Sequence, residues 1–193
     1  MKMLSMNFYE RNPALVARDL LGKILRTKLD SEVLSGKIVE TEAYHGKNDP
    51  ASRAYRGRKM FNKLMFMDAG KAFIYMVHGN WLLNTVAHLR GDVGAVLIRA
   101  IEPLQGIETM QENRNVKDIR NLTSGPGKLT KALAITKELN GIDVTKRNSK
   151  LVVVEGEKER FEICSSHRIG VKADLPQELR FFVKRNKFVS KFS

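Results

Sequence analysis

The stretch of sequence that decides the fold is VLSGKIVETEAY, residues 33–44. It is rich in β-branched residues, and it follows a shorter run of the same kind, ILRTKL at residues 24–29, across a turn at Asp30-Ser31. Alternating runs of this length that are bounded by turn residues are typical of β-strands. The two runs therefore predict two successive strands joined by a turn.

The rest of the chain alternates short helical and extended segments. A first helix is predicted over residues 8–25, where Asn12 can cap the helix and Pro13 suits its first turn. Two extended runs around Gly79-Asn80 predict a hairpin over residues 73–86. Further strands are expected at residues 95–101, 151–154, 161–164, 168–171 and 180–183, and further helices at residues 103–113 and 129–139.

This pattern predicts the α+β fold class. With 193 residues, of which 42% are hydrophobic, the chain is long enough for one domain with a substantial core. We expect a single domain over residues 1–193, in which helices surround a curved, mostly antiparallel and open-barrel-like β-sheet. No stretch approaches the ~20 apolar residues that a membrane span needs. The first ten residues have no signal-peptide pattern, so a cytoplasmic location without membrane association is expected.

The charge balance points to a polyanionic partner. Thirty-four Lys and Arg face 21 Asp and Glu, which gives a formal net charge of +13 and a pI near 10.0. Nucleic acid is the first candidate for such a partner, and an anionic membrane surface is the second. The cations concentrate in a long loop, residues 45–63, that includes Arg56, Arg58 and Lys59. Long loops in compact domains are usually functional or disordered.

Cysteine and histidine usage excludes several classes of site. The single Cys164 rules out an internal disulfide, a Cys-rich zinc site and a protein-held iron–sulfur cluster. The chain also lacks the His-x-Glu and Pro-Cys-x-x-Cys motifs that a zinc deaminase of nucleobases requires.

The predicted strand at residues 33–44 carries an acidic face. Side chains alternate along a strand, so Glu40, Glu42 and Tyr44 share one face. A carboxylate in apolar surroundings can act as a base near neutral pH, and two carboxylates beside an aromatic ring suit cleavage of a glycosidic bond. In a basic protein that bond is expected to belong to a nucleotide. Two alternatives stay open: both Glu are surface charges or ion-pair partners, or they hold Mg²⁺ with Asp49 in a nuclease.

Seven short segments, in this order along the chain, resemble the alkyladenine (3-methyladenine, methylpurine) DNA glycosylase family. They are LLG at residues 20–22, IVETEAY at 38–44, DPAS at 49–52, VLIRAIEP at 96–103, SGPGKL at 124–129, RIGV at 168–171 and RFFV at 180–183. The resemblance implies a monofunctional DNA glycosylase of base excision repair, which flips alkylated or deaminated purines such as 3-methyladenine or hypoxanthine and hydrolyses the N-glycosidic bond with water. It implies no metal and no organic cofactor. It also implies a monomer that acts on double-stranded DNA with damaged purines, at the nucleoid if the source is a bacterium.

The resemblance assigns roles inside the site. It implies that Glu42 is the catalytic base and that Arg99 lies near the flipped nucleotide and the water. Tyr44 is expected to stack on the flipped base, Tyr75 to wall the pocket, and Asn84 to border the pocket and disfavour the exocyclic amine of guanine.

The resemblance also assigns contacts to DNA. His78, near the hairpin tip, is expected to insert into the gap that the flipped base leaves, with Asn80 or Trp81 as alternatives because this segment is one residue shorter than is common in the family. Backbone contacts are expected from two groups: the loop cations Arg56, Arg58 and Lys59, and the turn residues Ser124, Gly125 and Lys128, where a helix start favours phosphate.

One position departs from the family pattern. Arg53 stands where the family usually has a His opposite the stacking Tyr. Arg keeps its proton and only donates hydrogen bonds. We therefore expect substrate preference to shift toward neutral lesions, while a rival interpretation takes Arg53 as the sign of a lesion-binding protein that has lost catalysis.

Overall fold

A computed structural model describes residues 2–30 and 32–190 of the chain. Its strands are all antiparallel and belong to one sheet. They are β1 (Ile24–Leu29), β2 (Glu32–Tyr44), β3 (Ala72–Val77), β4 (Asn80–Val86), β5 (Ala95–Gln105), β6 (Leu151–Val154), β7 (Ile163–Ser166) and β8 (Arg180–Val183). The α-helices are α1 (Met6–Tyr9), α2 (Pro13–Asp19), α3 (Ile107–Arg114) and α4 (Pro126–Ala132), and 3₁₀ helices lie at Met60–Phe66, Ile119–Asn121 and Lys137–Leu139. The predicted α+β class, with helices around a curved antiparallel sheet, is confirmed.

The long strand β2 lies at the centre of the sheet. The strand order is β3-β4-β5-β2-β1-β6, and β8 pairs with both β2 and β7. One edge of β2 pairs with β5, whereas the other edge pairs with β1 along its first half and with β8 at residues 40–42. The second half of β2, which carries the acidic residues, is therefore covered on both edges.

The two faces of β2 have different neighbours. Thr41 points toward α2, because its hydroxyl donates to the Ala17 carbonyl at 2.8 Å. The alternate residues Glu40 and Glu42 bond to other groups on the opposite face, as described below. The shared face predicted from the alternation of side chains is thus confirmed.

A β-bulge directs Arg99 to this acidic face. Along the β2–β5 pair, Glu40 lies opposite Ala100 and Thr41 lies opposite Ile98, so Arg99 is skipped in the register. A bulge of this kind re-aims the side chain of the extra residue. It explains how Arg99 reaches carboxylates on the neighbouring strand.

Several predicted boundaries were wrong. The helix expected over residues 8–25 is two helices that end at Asp19, although Asn12 caps α2 as predicted by accepting from the Ala14 N–H. The hairpin turn is His78-Gly79, with φ of 47° and 75°, and not Gly79-Asn80. Positive φ at both central residues matches the twist of a hairpin. The turn predicted at Asp30-Ser31 includes Ser31, which lies outside the described residues.

Two predicted helices begin or end elsewhere. The helix expected at residues 103–113 was wrong at its start, because β5 continues to Gln105 and α3 begins only after Gly106, whose φ is 75°. The helix expected at residues 129–139 is interrupted, because the chain turns at Ala134 with φ of 53° after α4 has ended.

Two predicted strands near the C-terminal end also differ. The strand expected at residues 161–164 is two residues later, at β7. The strand expected at residues 168–171 is a turn. Here the buried Arg168 donates hydrogen bonds to the carboxylates of Asp49 and Asp174, and the N–H of Ile169 donates to Glu42 instead of to a neighbouring strand. Within the described residues, no helix has the length and apolar character to cross a membrane.

Candidate active site

A cleft of about 980 Å³ opens beside the second half of β2. Its walls come from β2, β5, the β3–β4 hairpin, the long loop of residues 45–63 (the basic loop) and the turns before α4 and after β7. Seven of the residues predicted for the site line it: Tyr44, Arg53, Tyr75, His78, Arg99, Gly125 and Lys128. The structure therefore brings together side chains that are widely separated in sequence.

Glu42 is fully buried beside this cleft, with no exposed surface. Its Oε2 accepts from the Tyr44 hydroxyl at 2.7 Å, and its Oε1 accepts from the Ile169 N–H at 2.7 Å. Nη1 of Arg99 lies 3.2 Å from Oε1. These three contacts fix the orientation of the carboxylate. Because a carboxylate accepts about four hydrogen bonds, Oε2 retains capacity for one more donor.

The surroundings of Glu42 raise the pKa of its carboxyl above the usual value near 4.5. Burial is the largest cause, and the negative charge of Glu40 adds to it. The Arg99 charge, the Ile169 N–H and the Tyr44 hydroxyl oppose the rise but do not cancel it. A carboxylate of this kind is a stronger base than a solvated one.

Glu40 has the opposite electrostatic behaviour although it is equally buried. Its Oε1 accepts from Arg99 Nε and Arg180 Nε, each at 2.8 Å, and from the Ser190 hydroxyl at 2.7 Å, while its Oε2 accepts from the Ser190 N–H at 2.7 Å. Burial alone would raise the pKa of Glu40, but the two guanidinium groups and the N–H outweigh it and lower the pKa. These contacts thus favour the ionised form of Glu40.

Arg99 connects the two carboxylates. It is 7% exposed, and it contacts Glu40 through Nε and Glu42 through Nη1. Since part of its charge is compensated by Glu40, Arg99 orients Glu42 without lowering its pKa to the level of Glu40. Neighbouring carboxyl groups whose environments separate their pKa values are typical of acid–base sites.

Two contacts hold the Tyr44 side chain, one at its hydroxyl and one at its ring. Its hydroxyl is bonded to Glu42, and the Arg168 guanidinium lies 4.6 Å from its ring centroid. Arg168 in turn binds Asp49 through two hydrogen bonds of 2.7 Å. Tyr44 therefore presents a rigid aromatic surface to the cleft.

The remaining pocket residues lie around Tyr75. The guanidinium of Arg53 lies 4.9 Å from the centroid of its ring, so this exposed Arg is directed along the cleft wall. Asn84 is buried behind the cleft, donates to the Phe73 carbonyl at 3.1 Å and interacts with the Tyr75 hydroxyl. Asn84 does not line the cleft in this structure.

The hairpin and loop residues expected to contact DNA are exposed, whereas in the turn before α4 Gly125 is buried and Ser124 and Lys128 are half-buried. His78 is exposed at the hairpin tip, as is Asn80, whereas Trp81 packs against the core. The loop cations Arg56, Arg58 and Lys59 are exposed outside the cleft. In the turn before α4, Ser124 bridges to Ala100 in the sheet and the Lys128 ammonium donates to Asn121 Oδ1.

Sequence reasoning missed the charged groups that support the site. Arg180 and Ser190 hold Glu40, and Arg168 holds Asp49 and Asp174. Asp49 therefore lies in an ion pair and not beside Glu40 and Glu42, as the magnesium alternative required. Among the described residues, no group of three or more His, Cys, Asp or Glu is arranged to hold a metal ion.

The site thus combines a buried carboxyl group of raised pKa with a cleft that two tyrosines line, on a protein of net positive charge. The chain belongs to the methylpurine-DNA glycosylase (MPG) family, whose model matches residues 7–187. A relative from Carboxydothermus hydrogenoformans is 44% identical, with 98% of this chain and 99% of that protein covered. A relative from Aeropyrum pernix is 40% identical, with 98% and 94% covered. Both relatives carry the provisional name 3-methyladenine DNA glycosylase. The chain is therefore a member of a DNA glycosylase family, and the resemblance read from the seven segments is confirmed.

Proposed function

We propose that the protein is a monofunctional DNA glycosylase of base excision repair, which hydrolyses the N-glycosidic bond of damaged purines with Glu42 as the catalytic base. The observation that carries this proposal is the environment of Glu42. Its carboxylate is buried, oriented by three contacts and raised in pKa, directly beside a cleft lined with aromatic residues.

In the reaction, the bond between C1′ of the deoxyribose and the purine nitrogen breaks, and its electron pair leaves with the base. Positive charge develops on the sugar, and the anions Glu42 and Glu40 stabilise it electrostatically. A water molecule that donates to Oε2 of Glu42 attacks C1′, and its proton passes to that carboxylate. The Tyr44 hydroxyl bonds to Oε2 and Arg99 contacts Oε1, so together they keep the carboxylate in position.

Base flipping follows from the burial of this carboxylate. A purine stacked inside a duplex cannot enter the cleft beside Glu42, so the nucleotide must leave the helix to approach this carboxylate. The rings of Tyr44 and Tyr75 supply the surfaces on which a flipped purine stacks. His78, at the exposed hairpin tip, fills the gap in the duplex and offsets part of the few kcal/mol that unstacking costs.

The substrates are alkylated or deaminated purines, with a preference for neutral lesions such as hypoxanthine. The position of Arg53 supports this preference, since its fixed positive charge lies on the wall of the cleft against Tyr75. We further propose that residues 1–193 act as one domain, as a monomer, on chromosomal DNA in the cytoplasm. Backbone contacts come from Arg56, Arg58 and Lys59 and from the turn of Ser124, Gly125 and Lys128.

The test is a product analysis with an oligonucleotide duplex that contains one hypoxanthine, in parallel reactions with and without EDTA. We expect free hypoxanthine and an intact abasic strand, with no protein–DNA adduct after borohydride treatment. Strand cleavage that EDTA abolishes would identify a metal-dependent nuclease. An adduct trapped by borohydride would identify a lysine nucleophile. Tight lesion binding with no base release would identify a lesion-binding protein.

A further inference from the structure

The basic loop carries a feature that the base pocket does not explain. Residues 50–67, which cover most of this loop and the 3₁₀ helix at its end, contain five Lys and Arg and no Asp or Glu. In the middle of this segment, Met60 is 81% exposed and Phe61 is 57% exposed. Scattered exposed apolar residues are common on proteins, but two adjacent ones inside a purely cationic segment are not accounted for by packing. We call Met60 and Phe61 the apolar tip.

The apolar tip is held in place by buried groups on both sides. Asn62 is completely buried, donates to the carbonyl oxygens of Arg53 and Gly57 and accepts from the Lys59 N–H. Met65, one turn later, is buried in a cluster with Ala54 and Phe73. The exposure of the tip is therefore a fixed property of the loop and does not come from a chain end.

The hydrogen bond from Asn62 to Arg53 also locates the tip relative to the cleft. The Arg53 side chain lines the cleft wall against Tyr75, while its carbonyl oxygen holds Asn62 at 2.7 Å. Phe61 directly precedes Asn62 in the sequence. The apolar tip is thus tied through Asn62 to the backbone of a residue that lines the cleft, while Met60 and Phe61 themselves lie outside the pocket that would receive a flipped base.

The charges around the apolar tip indicate what kind of partner it binds. Arg56, Arg58, Lys59 and Lys63 have no carboxylate within ion-pair distance among the described residues. A second copy of this chain would bring the same cations into contact and be repelled. A polyanion with apolar surfaces between its charges would fit both the cations and the apolar tip. DNA has this combination, because its bases and sugars lie between phosphates.

We propose that the apolar tip is a second DNA-contact element, which packs on bases or sugars of the nucleotides that flank the lesion while Arg58 and Lys59 bind the adjacent phosphates. This contact goes beyond the base pocket and needs no damaged base. It would hold the protein on undamaged duplex as well as on lesion sites, and it rests on DNA as the substrate but not on the chemistry assigned to Glu42.

The test measures affinity by fluorescence anisotropy of the full-length protein with two labelled duplexes. One duplex is undamaged and the other has a tetrahydrofuran abasic analogue, so that no catalysis is needed. Contact between a base and an aromatic side chain is worth ~1–3 kcal/mol. We therefore expect Met60→Ala/Phe61→Ala to weaken binding at least about five-fold on both duplexes, whereas Phe61→Trp retains the affinity.

A salt titration separates apolar from ionic contact. The double variant should keep the parental slope of log affinity against log salt, whereas Lys59→Ala should reduce that slope by about 0.9. The matched control is Leu104→Ala, because Leu104 is 49% exposed at the other end of β2, near Ser35. It should leave affinity and slope unchanged.

Three results would overturn the proposal. The first is an affinity of the double variant within two-fold of the parent. The second is a loss of affinity with a reduced salt slope, since the contact would then be ionic. The third is unchanged DNA binding together with loss of self-association in sedimentation, or loss of binding to phosphatidylglycerol vesicles, since the tip would then serve another partner.

Discussion

Glu40 and Glu42 are two residues apart and equally buried, yet their replacement by Gln should change stability in opposite directions. Glu40 accepts four hydrogen bonds, two of them from guanidinium groups. Its lowered pKa means that the folded state prefers its ionised form. This contribution to stability is present above the usual pKa near 4.5 and is lost as the pH falls through the lowered value.

The expected magnitude follows from what Glu40→Gln leaves behind. The amide is neutral, so the charges of Arg99 and Arg180 lose their shared counterion while both stay buried. Its amide nitrogen would also meet a donor of Ser190. Removing one partner of a buried ion pair costs ~3–5 kcal/mol. At ~2–4 °C per kcal/mol for a domain of this size, the melting temperature should fall by about 6–20 °C at pH 7.5.

Glu42→Gln is the matched comparison. The raised pKa of Glu42 means that the fold prefers its neutral form, so its contribution to stability is present at low pH and is lost as the pH rises through the raised value. A neutral amide should therefore leave the melting temperature at pH 7.5 equal to or above that of the parent. Thermal unfolding by calorimetry or circular dichroism at several pH values measures both variants.

A surface variant controls for the loss of any carboxylate. Glu155 is 42% exposed and pairs with Lys23, so Glu155→Gln should cost less than ~1 kcal/mol. The reasoning would be refuted if Glu40→Gln were no more destabilising than Glu155→Gln. A drop in stability of Glu42→Gln as large as that of Glu40→Gln would also refute it, because the two carboxylates would then be equivalent.

Three further predictions concern DNA. Arg53→His should lower the ratio of hypoxanthine release to 7-methylguanine release, because the charge of Arg53 repels a cationic base. At about 4 Å this repulsion is ~1 kcal/mol in water and ~4 kcal/mol at an effective dielectric of ~20, which corresponds to several-fold to several hundred-fold in rate. An unchanged ratio would contradict the placement of Arg53 against the base. Arg56→Ala and Arg58→Ala should each reduce the salt slope of DNA binding by about 0.9, and a flat salt response of the parent would remove backbone binding altogether. His78→Ala should reduce the affinity for lesion-bearing duplex more than for undamaged duplex, since only the flipped state leaves a gap to fill; equal losses on both would show that His78 does not insert.

Local pattern predicted the centre of the fold and the core of the site. The alternation along residues 33–44 was sufficient to place Glu40, Glu42 and Tyr44 on one face of a strand. The observed strand begins one residue earlier, at Glu32. The resemblance to the family then supplied Arg99, Tyr75 and Arg53, all of which line the cleft.

The supporting charges could not be predicted, because they act across long separations in sequence. Asp49 and Arg168 are 119 residues apart, and Glu40 and Ser190 are 150 residues apart. Nothing local marks Arg168 as buried, and the apolar residues after it were interpreted as a strand. One signal was available: a strand that buries two carboxylates requires cationic partners elsewhere in the chain.

Tertiary contacts also overrode local helix propensity after α4. The sequence continues with helix-forming residues, but the chain turns at Ala134 so that Ile135 is buried in the core and the Leu133 carbonyl accepts from Thr27. No single-sequence pattern contains those partners. The boundary error at residues 129–139 has this physical origin.

The most direct test of the central claim is the single-turnover rate of hypoxanthine release by Glu42→Gln, measured with enzyme in excess over duplex and beside the DNA affinity of the same variant. A neutral amide keeps the shape of the side chain but cannot take the proton of the attacking water. We expect release to fall by ~10²–10⁴-fold, as loss of a general base typically causes, while the affinity for duplex with an abasic analogue stays near that of the parent. A rate close to that of the parent would show that Glu42 is not the catalytic base.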